Sequence, residues 1–427
     1  MGLSQSAVPP IPKPDPWLAL RYGSFRNLAI ARLILLTVFQ MQTVAVGWEL
    51  YERTHDPLVL GGVGLVQIVP IMAVTFLAGH LADQRHRKLI ILLCGTCMAL
   101  STLGLTLISF QQGSIALVYA CLVITGLARG FHKPATDALL WQYIPTTAYS
   151  NAATWTSAVF QFGAVVGPAL GGLLIAWFHG ATIVYGVSTV ATIVYLGLIG
   201  QLPDRRQQVI QEPFSWRSLG AGFYFLQAHP VVLGVMVLDL FAVLLGGAIT
   251  LLPVYAKDIL QVGAAELGWL RAAPSIGALL MGAALIHLPP VRPAGKVLLG
   301  SVIGFGLATI GFGLSRSLTL SIVLLVITGA LDNISVVIRH TLAQLWTPDH
   351  LRGRVSAINS LCISMSNELG GFESGITAAW FGPIASVVGG GVGTLLVVGV
   401  VAMLWPEIRQ LRELQPPTLP SSSSKLA

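Results

Sequence analysis

Residues 126–172 read GLARGFHKPATDALLWQYIPTTAYSNAATWTSAVFQFGAVVGPALGG, and residues 329–375 read GALDNISVVIRHTLAQLWTPDHLRGRVSAINSLCISMSNELGGFESG. The stretches match at a constant offset of 203 (329 minus 126). Gly126 pairs with Gly329, Leu139 with Leu342, Pro145 with Pro348, Ser157 with Ser360, Gly167 with Gly370 and Gly172 with Gly375. Upstream, Gly64 and Pro70 match Gly268 and Pro274 at an offset of 204 (268 minus 64). Glycine-rich apolar segments match by chance at single positions, but a fixed offset along a whole stretch marks a duplicated unit. Two similar halves in the same orientation are therefore expected.

The composition says what those halves are made of. Of 427 residues, 54% are hydrophobic and only 10% are charged, against about 25% charged in a soluble domain. Twelve membrane helices of about 20 residues need roughly 240 residues, which the apolar content nearly fills. A soluble enzyme, a collagen, a coiled coil and a disordered chain are all excluded. The net charge of +7 is accounted for by membrane orientation, so no nucleic-acid partner is expected. Cys94 and Cys97 form a C-x-x-C inside the apolar run 89–110, with no basic neighbour to make a thiolate. They read as two small helix residues, and four cysteines give no disulfide framework. Residues 1–25 carry Pro9, Pro10, Pro12, Pro14 and Pro16 and no early apolar core, so a cytosolic tail is expected rather than a signal peptide.

Apolar runs and their turn residues give twelve spans: 26–51, 58–82, 89–110, 115–143, 149–178, 182–202, 231–256, 263–287, 295–315, 318–346, 353–380 and 383–405. The expected fold is an all-α membrane protein of two pseudo-symmetric six-helix bundles, 26–202 and 231–405. A cytosolic tail (1–25) precedes them and another (406–427) follows. A cytoplasmic linker, 203–230, joins the halves, and its amphipathic piece at 214–227 is expected to lie on the inner membrane surface. On these spans sixteen lysines and arginines, among them Arg85, Arg87, Lys88, Arg205 and Arg206, fall on the side of both termini. Only Arg53, Lys257 and Arg316 fall on the other. Both termini are therefore expected in the cytoplasm of a multi-pass inner-membrane protein.

Charges inside the spans sort by helix. Away from their ends, spans 3, 6, 9 and 12 have none. Spans 1, 4, 7 and 10 carry Arg32 and Glu49; Arg129, Lys133 and Asp137; Asp239; and Asp332 and Arg339. Spans 8 and 11 add Arg271, Glu368 and Glu373. A charge at the bilayer centre costs several kcal/mol, so these helices line a wet interior and every third helix faces lipid. That pattern is the architecture of a transporter. No G-x-x-x-x-G-K-[ST] phosphate loop is present, since Gly295-Lys296 is followed by Val297. The energy is therefore expected from a gradient, and no enzyme activity, metal or cofactor is expected.

The loop Gly79-His80-Leu81-Ala82-Asp83-Gln84-Arg85-His86-Arg87-Lys88 resembles the G-x-L-a-D-r-x-G-r-[K/R] loop of the major facilitator superfamily, with His86 where glycine is usual. The resemblance implies a latch between the halves on the cytoplasmic side, made by Gly79, Asp83 and Arg87. Residues 163–172, GAVVGPALGG, are similar to a helix-5 stretch of the superfamily's antiporters, here Gly163, Gly167, Pro168, Gly171 and Gly172. Glycines at spacing four allow close helix contact, and packing alone is the competing reading. Residues 44–52 (VAVGWELYE), 238–244 (LDLFAVL), 353–359 (GRVSAIN) and 366–375 (SNELGGFESG) are similar to the enterobactin-exporter-like branch. This resemblance implies export of siderophores or drugs across a bacterial inner membrane, using the proton gradient.

The substrate and proton pathway is expected to use Gln40, Arg129, Asp239, Arg271, Asp332, Arg339, Glu368 and Glu373. The repeat puts Arg129 and Asp332 at equivalent points of spans 4 and 10, where an Arg–Asp tie between the halves is the structural alternative. Glu368 and Asp239 are the candidate proton-coupling acids, because a buried carboxylate can bind and release protons near neutral pH. Gln42, Gln67, Gln161 and Asn367 are further polar lining candidates. Trp155 and Tyr143 are candidates for stacking on an aromatic substrate, and Trp48 is favoured as an interface anchor. The expected function is proton-coupled export of a small amphipathic molecule by a monomer in the lipid bilayer. A nutrient importer and a non-transporting receptor or scaffold are the alternatives, and composition does not separate import from export.

Overall fold

The computed structural model of the chain describes residues 15–84, 86–204, 216–289 and 292–414, which are helical, with no strand among them. The first half is α1 (Gly23–Thr54), α2 (Pro57–Gln84), α3 (Arg87–Phe110), α4 (Ile115–Leu140), α5 (Tyr149–Phe178) and α6 (Thr182–Gly200). The second half is α7 (Pro230–Leu245 and its continuation), α8 (Ala264–His287), α9 (Ala294–Leu314), α10 (Leu318–Trp346), α11 (Asp349–Phe381) and α12 (Pro383–Leu404). Local chemistry sets the ends. α1 stops at His55, in the left-handed conformation at φ 50°, whose N–H caps the Tyr51 carbonyl at 2.9 Å. Pro383 opens α12 at a position that needs no N–H donor.

Eleven helices among the described residues are long and apolar enough to cross a membrane. The twelfth, α11, has 33 residues, about 50 Å of helix. Arg352, Arg354, Asn359, Asn367, Glu368 and Glu373 dilute its apolar content. α2, α7 and α12 pack along it, so much of this polar surface is turned toward protein.

The greatest departure from the sequence reading is in span 7, expected as one continuous helix over 231–256. Regular helix ends at Leu245. Gly246 and Gly247 unwind, a 3-10 turn runs over Ala248–Leu251, and the chain resumes helix at Leu252–Val254 before a π turn at Tyr255–Ile259. The two glycines let other backbones and rings approach. A β-carbon at Gly246 would lie 2.7 Å from the Phe305 ring, and one at Gly247 would lie 2.9 Å from the Gly370 carbonyl. Hydropathy registers neither approach. The counterpart α1 runs unbroken through all 32 of its residues.

Among the described residues, the buried apolar core joins the halves at one end only. At the end away from the termini a single cluster takes Val44, Leu50 and Leu60 from the first half and Leu251, Tyr255, Leu267 and Leu270 from the second. At the other end the core splits. One cluster, with Phe25, Leu28, Ile91 and Tyr195, stays in the first half, and another, with Val235, Leu238, Leu298 and Ile338, stays in the second. Glycines draw the backbones together where the halves meet. A β-carbon at Gly61 of α2 would lie 3.0 Å from Gly375 Cα of α11, and one at Gly172 of α5 would lie 2.8 Å from Gly268 Cα of α8.

The linker holds a short helix, Trp216–Ala228. Phe225 and Leu226 bury against Val232, Met236 and Val355, while Phe223 and Tyr224 are exposed. The amphipathic pattern is thus a helix docked on α7 and α11, with an aromatic face left outward.

Candidate functional site

On the termini side of the seal, between the halves, lies a cavity of about 640 Å³, within the usual range for small-molecule sites. Three arginines (Arg129, Arg271, Arg339) and three carboxylates (Asp239, Asp332, Glu368) line it, with Gln40 and Asn367. Each helix that contributes to both the cavity and the seal does so in the same order. On α1 Gln40 faces the cavity and Gly47 the seal. On α8 Arg271 faces the cavity and Gly268 the seal. On α11 Glu368 sits at the boundary, with Gly371 and Gly375 beyond it.

The expected pathway residues fall into two groups. In the second half Arg339 of α10 forms an ion pair with Asp239 of α7 and lies 3.7 Å from Asp332 of its own helix. Asp239 is buried, and these three charges largely satisfy one another. The second group spans the interface. Arg129 Nη1 donates to Gln67 Oε1 at 2.9 Å, and its guanidinium lies 5.0 Å from the Phe39 ring centre. Arg271 Nη1 donates to the Ile249 carbonyl at 3.2 Å, a group set free by the break in α7. Glu368 acts electrostatically on both arginines, one from each half. The Arg129–Asp332 tie weighed from the repeat does not form. Each of the two bonds within its own half instead.

Several other candidates sit elsewhere. Glu373 lies beyond the cavity, 3.4 Å from Ser374 Oγ. Gln42 donates to Thr102 Oγ1 at 2.9 Å, Tyr143 donates to the Pro203 carbonyl at 2.9 Å, and Trp155 Nε1 donates to the Pro16 carbonyl at 3.0 Å. These three hold neighbouring segments rather than lining the cavity. The sequence reading missed Phe39, Phe160, Phe305 and the unwound backbone 246–250, all of which line it. An apolar residue that faces a cavity has the same letter as one that faces lipid, so no signal was available for the aromatics.

The helix-5 glycines divide by partner. Gly163 and Gly171 lie against Leu36 and Met41 of α1. Gly167 lies against Gln40 and Thr37, with 2.5 Å from a would-be β-carbon to Gln40 Cβ. Gly172 turns to Gly268 across the halves, and the Pro168 carbonyl meets Gly268 from the same side. One face thus supports Gln40 and the other closes the seal. Of the expected latch, Gly79 and Asp83 lie on α2 but outside the residues whose surroundings are described. Arg87 Nη1 donates to the Ala138 carbonyl at 3.3 Å, and Lys88 Nζ donates to the Gly200 and Leu202 carbonyls at 2.9 and 2.6 Å. Basic groups here meet carbonyls at the C-terminal ends of α4 and α6, where the helix dipole favours them.

The seal carries its own polar contacts. Tyr51 of α1 hydrogen-bonds Asp258, Lys257 Nζ lies 3.3 Å from Glu52, and the same ammonium sits 4.2 Å from the Trp48 ring centre. Trp48, favoured as a membrane anchor, therefore meets the other half. Glu52 is 55% exposed, so the ion pair is worth only about 0.2–1 kcal/mol. Glu52→Lys is expected to slow transport about two- to five-fold by like-charge repulsion. Glu52→Lys with Lys257→Glu is expected to restore it in proteoliposome flux assays. A double variant as slow as the single would show that the pair does not act as a gate.

The chain matches the family described as transmembrane secretion effector over residues 15–422. It is 30% identical over 414 residues to the enterobactin exporter EntS of Escherichia coli O1:K1 / APEC, covering 94% of this chain and 96% of that protein. It is 29% identical over 410 residues to EntS of Shigella boydii serotype 4 (strain Sb227), with the same coverage. Among solved structures, a mutant of peptide transporter POT superposes with TM-score 0.73 at 10% identity, covering 94% of this chain and 100% of that one. A bacterial homolog to the human lysosomal transporter Spinster superposes with TM-score 0.71 at 14% identity, covering 93% and 98%. These structures bear on the fold alone.

Proposed function

Since the chain belongs to the transmembrane secretion effector family of the major facilitator superfamily, we propose that it exports a small amphipathic molecule, siderophore-like or drug-like, from the cytoplasm across a bacterial inner membrane, with proton coupling. The observation that carries this reading is the charged cavity at the junction of two halves, closed among the described residues toward one end only. If both termini are cytoplasmic, that cavity is the inward-facing arrangement. Rocking the halves about it opens the far end and closes the near one, which is alternating access. The activity named for the relatives, enterobactin export, supports the direction.

The coupling acid is Glu368. Ionised, it attracts Arg129 across the interface and helps hold this arrangement. A proton removes that attraction, so the empty carrier changes arrangement only in protonated form. Asp239 is the weaker candidate, because Arg339 holds its charge. One charge moved through 100 mV supplies about 2.3 kcal/mol, roughly a 50-fold concentration ratio.

Export is tested by metabolite profiling of cells with and without the gene under iron starvation. The expected result is a compound retained inside the mutant and missing from its medium, restored by complementation. A compound that only the wild type takes up would turn the reading to import.

A further inference from the structure

Arg129 and Arg271 stand apart from the cavity's third arginine. Arg339 is held by two carboxylates. Arg129 and Arg271 hydrogen-bond only neutral oxygens, and no carboxylate among the described residues lies at ion-pair distance from either. A guanidinium has five N–H donors in a planar fork, so most of the donors on both remain available. Glu368 influences both through space without a salt bridge to either. Two cations with spare donors on one cavity offer a site to an anion.

The two also meet from opposite halves. Arg129 comes from α4 and Arg271 from α8 beside the broken α7, and Phe39, Phe160 and Phe305 line the same cavity. Phe39 lies 5.0 Å from the Arg129 guanidinium carbon and steadies that side chain by a cation–π contact. The arrangement fits a planar oxyanion on an aromatic body. Arginine forks receive such an anion by paired N–H bonds, and the aromatic rings receive the body by offset or edge-to-face contact.

We propose that the substrate is an anionic aromatic molecule whose oxyanion bridges Arg129 and Arg271, displacing Glu368 as their resident counter-charge. This rests on the transport reading above and gives it a substrate class. With the anion bound, two positive and two negative charges share the interface, and the cross-half pull of Glu368 on Arg129 is relieved. Substrate and proton then act on the same lock by different routes. Outward movement of a monoanion with inward return of one proton moves two charges per cycle. That raises the attainable ratio from roughly 50-fold to roughly 2,500-fold per 100 mV.

The test uses the full chain, purified in detergent, with three probes of one shape and different charge: 1-naphthoate, 1-naphthamide and 1-naphthylmethylamine. Affinity is read from the ligand-dependent rise in thermal unfolding temperature. The expected result is naphthoate binding at least ten-fold tighter than either other probe. Arg129→Gln and Arg271→Gln should each weaken naphthoate at least ten-fold and leave naphthamide unchanged. Where a Gln variant does not fold, the Lys variant decides: it keeps the charge, loses the fork, and should weaken naphthoate about three- to ten-fold. Amine binding equal to or tighter than naphthoate overturns the proposal, as does wild-type naphthoate affinity in the Arg variants. Flux in proteoliposomes separates the two readings. Export of the amine but not of naphthoate keeps the transporter and removes the anion clamp. Naphthoate binding that follows the pattern, with no flux of any probe, keeps the clamp and removes the transporter.

Discussion

Glu368→Gln is expected to abolish uphill transport while leaving substrate binding and substrate exchange across the membrane in place. The amide keeps the shape of the carboxylate but neither ionises nor titrates. Glu368 sits at the boundary between cavity and seal, with Gly64 of the other half packed directly against its backbone. It senses Arg129 from the first half and Arg271 from the second. Its charge therefore alters the attraction between the moving parts. In proteoliposomes with an imposed pH gradient, accumulation by the variant should fall to a ratio of about one. For the wild type the expectation is roughly ten-fold per pH unit for each proton exchanged. Counterflow without a gradient should persist, because exchange need not cycle the proton. Asp239→Asn is the paired measurement. It breaks a buried ion pair and leaves Arg339 uncompensated on that side, at a cost of about 3–5 kcal/mol. Its main effect should be lost stability and yield rather than lost coupling. If Glu368→Gln still concentrates substrate at the wild-type rate, the coupling acid lies elsewhere, and Asp332 is next.

Gly172→Val is expected to hold the protein open at the far end. A β-carbon at residue 172 would lie 2.8 Å from Gly268 Cα, too close for either backbone to remain where it is. Valine adds two methyl groups beyond that. The α5–α8 contact is one of the two places where helices of the two halves meet along their length, the other being α2–α11. Losing it should open the seal while leaving the contacts of Gly163, Gly167 and Gly171 with α1 in place. The readout is labelling of a reporter cysteine at Gln40 by a membrane-impermeant maleimide added outside, with Cys94, Cys97, Cys121 and Cys362 replaced by serine. Labelling should rise about ten-fold or more over the parent, and flux should fall by a similar factor. Gly180→Ala is the control, since nothing lies within 4 Å of a β-carbon there. Unchanged labelling in Gly172→Val would remove the α5–α8 contact from the seal.

The number of helices and the two-half plan were legible because a membrane imposes simple requirements on a sequence. Each crossing must be long and apolar, and each interior charge must be hidden. Arg129, Arg271, Arg339, Asp239, Asp332 and Glu368 were all found by that second rule, and all six line one cavity. Glu373 obeys the same rule but lies past the cavity, because five residues turn it about 140° around α11. Gln42 and Tyr143 were misplaced for a different reason. A polar atom in an apolar span must bond something, and a neighbouring helix satisfies it as well as a substrate does.

By itself, then, the sequence determined the composition of the spans, their duplication and the set of charges withdrawn from lipid. These depend on transfer free energy, which each residue contributes locally. Only the tertiary structure decided which charges pair. Arg129 and Asp332 are equivalent by repeat, yet one bonds Gln67 and the other lies near Arg339. Only the tertiary structure showed that α7 breaks at Gly246 and Gly247, that among the described residues one end of the bundle shares a core while the other does not, and that Gly172 faces the opposite half. Those features depend on distances between segments that lie apart along the chain, to which hydropathy and spacing are blind.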